Sequence, residues 1–255
     1  MALEIVTVAC LSDNYAFLAH DPESGQTAVV DVPDAAPIIA ALAERGWTAS
    51  QILLTHHHPD HVQGVPDLLK KHPAKITGAA ADAHRMPPLD TQVKEGDTVQ
   101  IGKYSGDVID VSGHTIGHVA FHFRDSAVMF TGDSLMAMGC GRVFEGTKPQ
   151  MWASLQKLMG LPPETTVCSG HEYTAANARF ALTVDPSNPE LILRVEEISA
   201  DRNAGRYTVP STLRQELDTN PFLRPDSPEI QAQLGMTGAP SAEVFTEIRT
   251  RKDNF

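Results

Sequence analysis

A chain of 255 residues, 42% hydrophobic and 20% charged, has the make-up of a globular protein with room for one large domain and a smaller one. Its formal net charge of −12 speaks against a nucleic-acid partner, and no apolar run approaches the ~20 residues of a membrane span. Three cysteines (Cys10, Cys140, Cys168) offer no disulfide framework, and residues 1–6 lack the character of a secretory leader, so a cytoplasmic protein is expected.

In chain order, residues 3–9, 15–19 and 27–31 have strand character, with Asp13-Asn14 and Pro22-Glu23-Ser24-Gly25 between them as turns. Asp34 caps a predicted helix with apolar positions at Ile38, Ile39, Leu42 and Ala43, stopped by Gly46. A short apolar strand, 51–54, runs into a histidine-rich stretch and then an amphipathic helix over 62–71. A strand at 75–78, a helical piece near 80–84, and strands at 98–101, 108–111, 119–123 and 127–131 follow, then a helix over 151–158 and a strand at 166–169. The pattern implies two sheets covered by helices. After about residue 174 the segments are helical (175–182, 189–204, 211–217, 228–234, 241–252) and prolines separate or start them. We therefore expect a catalytic domain over 1–173 and a small all-helical domain over 174–255.

The chemistry starts at Thr55-His56-His57-His58-Pro59-Asp60-His61, directly after the apolar strand. Pro59 disfavours a helix through this stretch, which places it on a loop at a strand's C-terminal end, where α/β folds put their ligands. His56 and His58, two apart, point the same way in extended backbone, while Asp60 and His61 face a second point after the turn. Three further ligand candidates each follow a strand and a glycine: Gly113-His114, Gly132-Asp133 and Gly170-His171. Glycine lets the backbone turn sharply there. His56, His58 and His114 supply three nitrogens for one metal; Asp60, His61 and His171 supply an oxygen and two nitrogens for another; Asp133 bridges them. Imidazole and carboxylate suit zinc, iron or manganese. Two metal ions ~3.5–4 Å apart, each with an open position, activate a shared water. His57 lies between ligands and is expected to back them; His118 and His122 are expected to be packing residues.

These motifs resemble the metallo-β-lactamase superfamily, whose fold is an αββα sandwich. Within it the chain is similar to glyoxalase II, the hydroxyacylglutathione hydrolases. That finer likeness is carried by Ser12-Asp13-Asn14-Tyr15, by Cys140-Gly141-Arg142-Val143-Phe144-Glu145-Gly146-Thr147, by Gly170-His171-Glu172-Tyr173-Thr174 and by the closing Arg249-Thr250-Arg251-Lys252-Asp253-Asn254-Phe255. The resemblance implies a binuclear metal-dependent hydrolysis of S-D-lactoylglutathione to glutathione and D-lactate, as in methylglyoxal detoxification. It places two divalent metal ions per chain, zinc before iron or manganese, and glutathione contacts at Arg142, Phe144, Tyr173, Arg249 and Lys252. Phe144 stands where the family often has tyrosine, and Arg142 where it often has lysine.

The residues make the same reading plausible on their own. Glutathione carries two carboxylates, and this acidic chain gathers Arg249, Arg251 and Lys252 near its end. Arg251 is expected to face water. A hydroxide attacks the thioester carbonyl, with Asp60 and Asp133 as the catalytic carboxylates that orient it. The thiol that leaves, of pKa ~8.5, needs no general acid. A persulfide dioxygenase-like iron enzyme of the same superfamily is the rival, although it is not expected to carry the long helical tail. A β-lactamase would have a cysteine where Asp133 stands, and a non-catalytic metal-binding module lacks open coordination positions. No nucleic acid, no membrane and no second subunit are expected as partners.

Overall fold

A computed structural model describes residues 2–255. Strands β1 (Glu4–Cys10) and β2 (Asn14–His20) form an antiparallel hairpin that continues into β3 (Thr27–Val30). Pairing then turns parallel through β4 (Ala49–Leu53), β5 (Lys75–Ala79) and β6 (Thr91–Val93), completing a six-stranded sheet in chain order. Parallel neighbours need crossovers: α1 (Ala35–Arg45) supplies the first, α2 (Pro59–Val62) and α3 (Val65–Leu69) the second, and the third carries only a short helical turn over Ala80–Asp82. Helix α1 starts where the Asp34 carboxylate accepts from Ala36 N–H and stops at Gly46, whose φ is 67°. The helix expected over 62–71 is instead two short ones, broken at Gly64. A Cβ there would lie 2.9 Å from the Val32 carbonyl oxygen, so the chain passes too close for a side chain.

The second sheet runs β14-β13-β10-β9-β8-β7, from β7 (Thr98–Ile101), β8 (Tyr104–Asp110), β9 (Val119–Phe123), β10 (Val128–Gly132), β13 (Thr166–Ser169) and β14 (Ser211–Thr212). A small hairpin of β11 (Leu135–Met136) and β12 (Gly139–Cys140) stands beside it. Period-two alternation explains how this sheet is covered on both faces. On β9 and β10, Phe121, Phe123, Val128 and Phe130 join the core between the sheets. Their neighbours Ala120 and Met129, with Val167 of β13, join a second core under the helices. Helix α4 (Lys148–Met159) contributes Met151, Trp152, Leu155 and Leu158 to that outer layer. The two sheets with helices outside form the αββα sandwich.

The tail folds as α5 (Thr174–Val184), α6 (Pro189–Asn203), α7 (Leu213–Thr219), α8 (Pro228–Leu234) and α9 (Ser241–Asp253). It packs directly on the second sheet. Phe180, Phe222, Val244, Phe245 and Ile248 belong to the same apolar cluster as Met129 and Val167, and β14 closes the edge of the second sheet. Within it, Arg194 and Glu216 form a buried pair, and Glu216 also accepts the Met138 and Asn220 N–H groups, tying α6 and α7 to the β11–β12 hairpin.

Candidate metal centre and substrate pocket

All the expected ligand-bearing turns open at one end of the sandwich. Pro59 does not keep the histidine stretch out of a helix: it occupies the first helical position of α2, where its missing N–H costs nothing, so Asp60 and His61 are helical. The turn after β13 is locked to the first hairpin, because Tyr15 N–H donates to Gly170 O at 2.8 Å and Asn14 bridges to His171. Gly132 adopts φ 48°, and a Cβ on Gly170 would lie 2.5 Å from Asp133 Oδ1 and 2.7 Å from His61 Cε1. Both glycines are needed for the strands to deliver Asp133 and His171 into so small a space.

The seven side chains converge as two adjoining sets. In the first, His58 Nδ1 lies 3.2 Å from His56 Nε2 and 3.0 Å from His114 Nε2. In the second, His61 Nε2 lies 3.3 Å from His171 Nε2, and Asp60 Oδ2 is 3.4 Å from the latter. Asp133 stands between the sets, with Oδ2 3.5 Å from His114 and 3.3 Å from His171, and Oδ1 3.4 Å from His61. The opposite ring nitrogens are held from behind. His114 Nδ1 meets the Arg142 carbonyl at 2.7 Å, His171 Nδ1 meets Asp13 at 2.8 Å, His61 Nδ1 meets Asp31 at 2.8 Å, and His56 Nδ1 meets the Thr55 hydroxyl at 3.0 Å. Those acceptors require N–H on the outer nitrogens and leave lone pairs facing inward. Lone pairs crowded at about 3 Å cannot bond one another, and the buried Asp133 Oδ1 has no hydrogen-bond partner. A donor set of this kind fits cations.

The electrostatics separate the two sets. Burial, with neighbouring imidazoles, pushes His58 down to about 4 and His56 well below its ordinary value, so both are neutral donors at neutral pH. His61 and His171 shift the other way: burial opposes their charged forms, yet Asp133 and the backing carboxylates prevail. Burial likewise works against ionised Asp133, but His61 and His171 hold its carboxyl well below the usual range.

The sets form the floor of a cavity of about 380 Å³ whose wall includes Arg142, Phe144, Tyr173, Arg249 and Lys252. The Tyr173 ring stacks on His171 at 4.6 Å and 7°, while Phe144, 61% exposed, turns its edge toward His58 and His114. Arg249 is buried: its Nη1 donates to Cys140 O at 2.9 Å and its Nε to Asp253 at 3.1 Å. Lys252 Nζ sits over the Phe180 and Phe255 rings at 5.2 Å each and donates to Ala176 O at 3.3 Å. Burial and the nearby Arg249 and Arg179 lower its pKa to about 8. Arg251, as expected, is on the outside, paired with Glu247.

Several residues at the site carry no spacing signal. Asp31 lies close to His56 and His61, but both its oxygens are committed, Oδ1 to Thr55 N–H and Oδ2 to the Thr55 hydroxyl and His61. Its φ of 57° is a conformation aspartate tolerates better than most residues. Asn14 Nδ2 donates to Asp60 Oδ2 at 3.0 Å. His118, expected to be a packing residue, accepts the Asp133 N–H at 3.0 Å and stacks on His56 at 4.6 Å. His57 belongs to neither donor set and bonds Asp82 at 2.9 Å.

Residues 23–171 match the family model described as the metallo-beta-lactamase superfamily, the class that this sandwich and its ligand-bearing turns define. Residues 172–255 match the model described as the hydroxyacylglutathione hydrolase C-terminus. A hydroxyacylglutathione hydrolase of Jannaschia sp. (strain CCS1) is 64% identical over 252 residues, covering 99% of this chain and 98% of that protein. The chain belongs to the hydroxyacylglutathione hydrolase family. Among solved structures, ETHE1 from Myxococcus xanthus shares the fold at TM-score 0.68 and 23% identity, over 98% of this chain and 90% of its own. The structure of TTHA1623 in a di-iron-bound form aligns at TM-score 0.62 and 26% identity, over 86% of this chain and all of its own.

Proposed function

We propose that the protein is a binuclear metal-dependent thioester hydrolase that cleaves S-D-lactoylglutathione and related 2-hydroxyacylglutathiones to glutathione and the hydroxy acid, a cytoplasmic step of methylglyoxal detoxification performed by a monomer. One observation carries this reading. Two adjoining donor sets flank the Asp133 carboxylate at the floor of a pocket whose wall holds the half-buried Lys252, which has no carboxylate partner among the described residues. A net-acidic protein has no structural need for such a lysine, and an anionic ligand supplies one.

His56, His58 and His114 would hold one divalent ion and Asp60, His61 and His171 the other, with Asp133 placed to serve both; zinc would fit these donors, with iron the alternative that the di-iron neighbour brings in. Such ions polarise the thioester carbonyl and make water a nucleophile at neutral pH. The rest of the chemistry belongs to the chain. Asp133 and Asp60 accept hydrogen bonds from the attacking water and hold its lone pair toward the acyl carbon. Asn14 keeps Asp60 turned inward. Arg249 and Lys252 bind the carboxylates of the glutathione moiety, Arg142 stands at the rim, and Phe144 and Tyr173 flank the thioester. Burial and Asp13 raise the Tyr173 phenol, so it stays a neutral hydrogen-bond donor. The departing thiolate, of ordinary pKa ~8.5, needs no proton donor.

Elemental analysis of the purified protein, alongside hydrolysis of S-D-lactoylglutathione and of a glutathione-free thioester, tests the proposal. The expected result is two metal ions per chain and a strong preference for the glutathione substrate. One iron per chain, with oxygen consumed on a persulfide, would overturn it.

A further inference from the structure

Among the described residues, Asp253 is the one carboxylate paired with the pocket arginines Arg142 and Arg249, and no step above uses it. Its Oδ1 accepts from Arg249 Nε at 3.1 Å and lies 3.6 Å from Arg142 Nε; its Oδ2 is 3.7 Å from Lys148 Nζ. Its backbone carbonyl also accepts from Arg142 Nη2 at 3.4 Å. The three cations come from separate places, α9, the turn after β12 and the first turn of α4. Lys148 is fixed independently, donating to the Thr250 hydroxyl at 2.6 Å.

We infer that Asp253 is a positioning residue for substrate recognition: it gathers Arg142, Lys148 and Arg249 around one carboxylate and so aims the arginines at the glutathione moiety. The inference rests on the thioester-hydrolase reading above. Three long cationic side chains sharing a small space repel one another and keep many rotamers, and holding them costs conformational entropy. A shared carboxylate opposes the repulsion before substrate arrives. Its bond to Arg249 Nε, with Nη1 on the Cys140 carbonyl, leaves the Nη2 end of the guanidinium free for a ligand. For Arg142, about half exposed, Asp253 supplies its only ion pair among the described residues. A placeholder that merely competed with substrate would have the opposite signature, because its removal would tighten binding.

Asp253→Asn keeps size and helix position while removing the charge. On S-D-lactoylglutathione its KM is expected to rise about tenfold, a typical loss for one charge-assisted contact, with kcat changing less than about twofold and metal content equal to wild type. Lys148→Met should raise KM by a smaller factor, and the double variant should fall short of the product of the two, because both act through one cluster. Arg251→Gln, which breaks an exposed pair on the same helix, serves as the control and leaves both constants at wild-type values. An unchanged or lowered KM in Asp253→Asn would refute the positioning role, as would a loss confined to kcat or full multiplicativity in the double variant. Failure of the wild-type protein to hydrolyse the thioester would instead refute the activity on which the inference rests, so the two failures are distinguishable.

Discussion

The floor and the wall of the pocket are built on different principles. Every floor histidine except His58 has its outer nitrogen held by a partner fixed in turn by the sheets, and His56, His61, His114, His171 and Asp133 are at most 5% exposed. The wall comes from a helix and a turn, its cations lean on ring faces and backbone carbonyls, and Phe144 stands largely in solvent. A rigid floor suits chemistry in which donor positions are the catalyst, whereas a looser wall adapts to a flexible tripeptide. Errors in the floor should therefore appear in metal content and turnover, and errors in the wall in KM.

The sharpest way to break that division is Asp133→Ala. It should lose metal and reduce turnover by on the order of a thousandfold or more, since the shared carboxylate serves both donor sets. Full metal occupancy by elemental analysis would count against the bridge. Next in size, Asp31→Asn withdraws the charged acceptor behind His61 and should weaken metal affinity by about 10–100-fold, read by chelator competition. If Asp31 only filled space, the affinity would not move.

Wall changes are expected to be smaller. Lys252, lowered to about 8, is charged below that pH and loses its proton as pH rises through it, so KM should climb between pH 7 and 9. Lys252→Arg should flatten that climb; an identical climb in the variant would assign it to another group. The smallest effect belongs to Phe144→Tyr. The side chain is 61% exposed, so the added hydroxyl is not buried, and one new hydrogen bond to substrate should lower KM about two- to fivefold without altering kcat. A shift in kcat or in metal content would show that the wall reaches the floor after all.

Much of this division was legible in the chain. A strand, a glycine and a ligand repeat at Gly113-His114, Gly132-Asp133 and Gly170-His171, and that grammar follows from backbone sterics that the structure then displays. The supports were not legible. Asp31 ends a strand as many surface aspartates do, and its task depends on a positive φ that no spacing encodes. His118 sits beside β9 with nothing local to separate it from a packing residue. β6, β11, β12 and β14 are two or three residues long, too short for periodicity to register. Pro59 looks like a helix breaker in the sequence, because proline's meaning depends on where the helix starts, and here it opens α2. Composition marks off the helical tail near residue 174, whereas the apolar layer it shares with the second sheet depends on partners that composition does not name.

That shared apolar layer has an evolutionary and practical corollary. Helix α9 lends Arg249 and Lys252 to the pocket wall and also inserts Val244, Phe245 and Ile248 beneath the second sheet. Ligand choice and structural integrity are thus inherited as one unit. Anyone exchanging this appendage to redirect the enzyme toward a different thiol carrier must match its hidden side to the host before its visible side has any chance to matter.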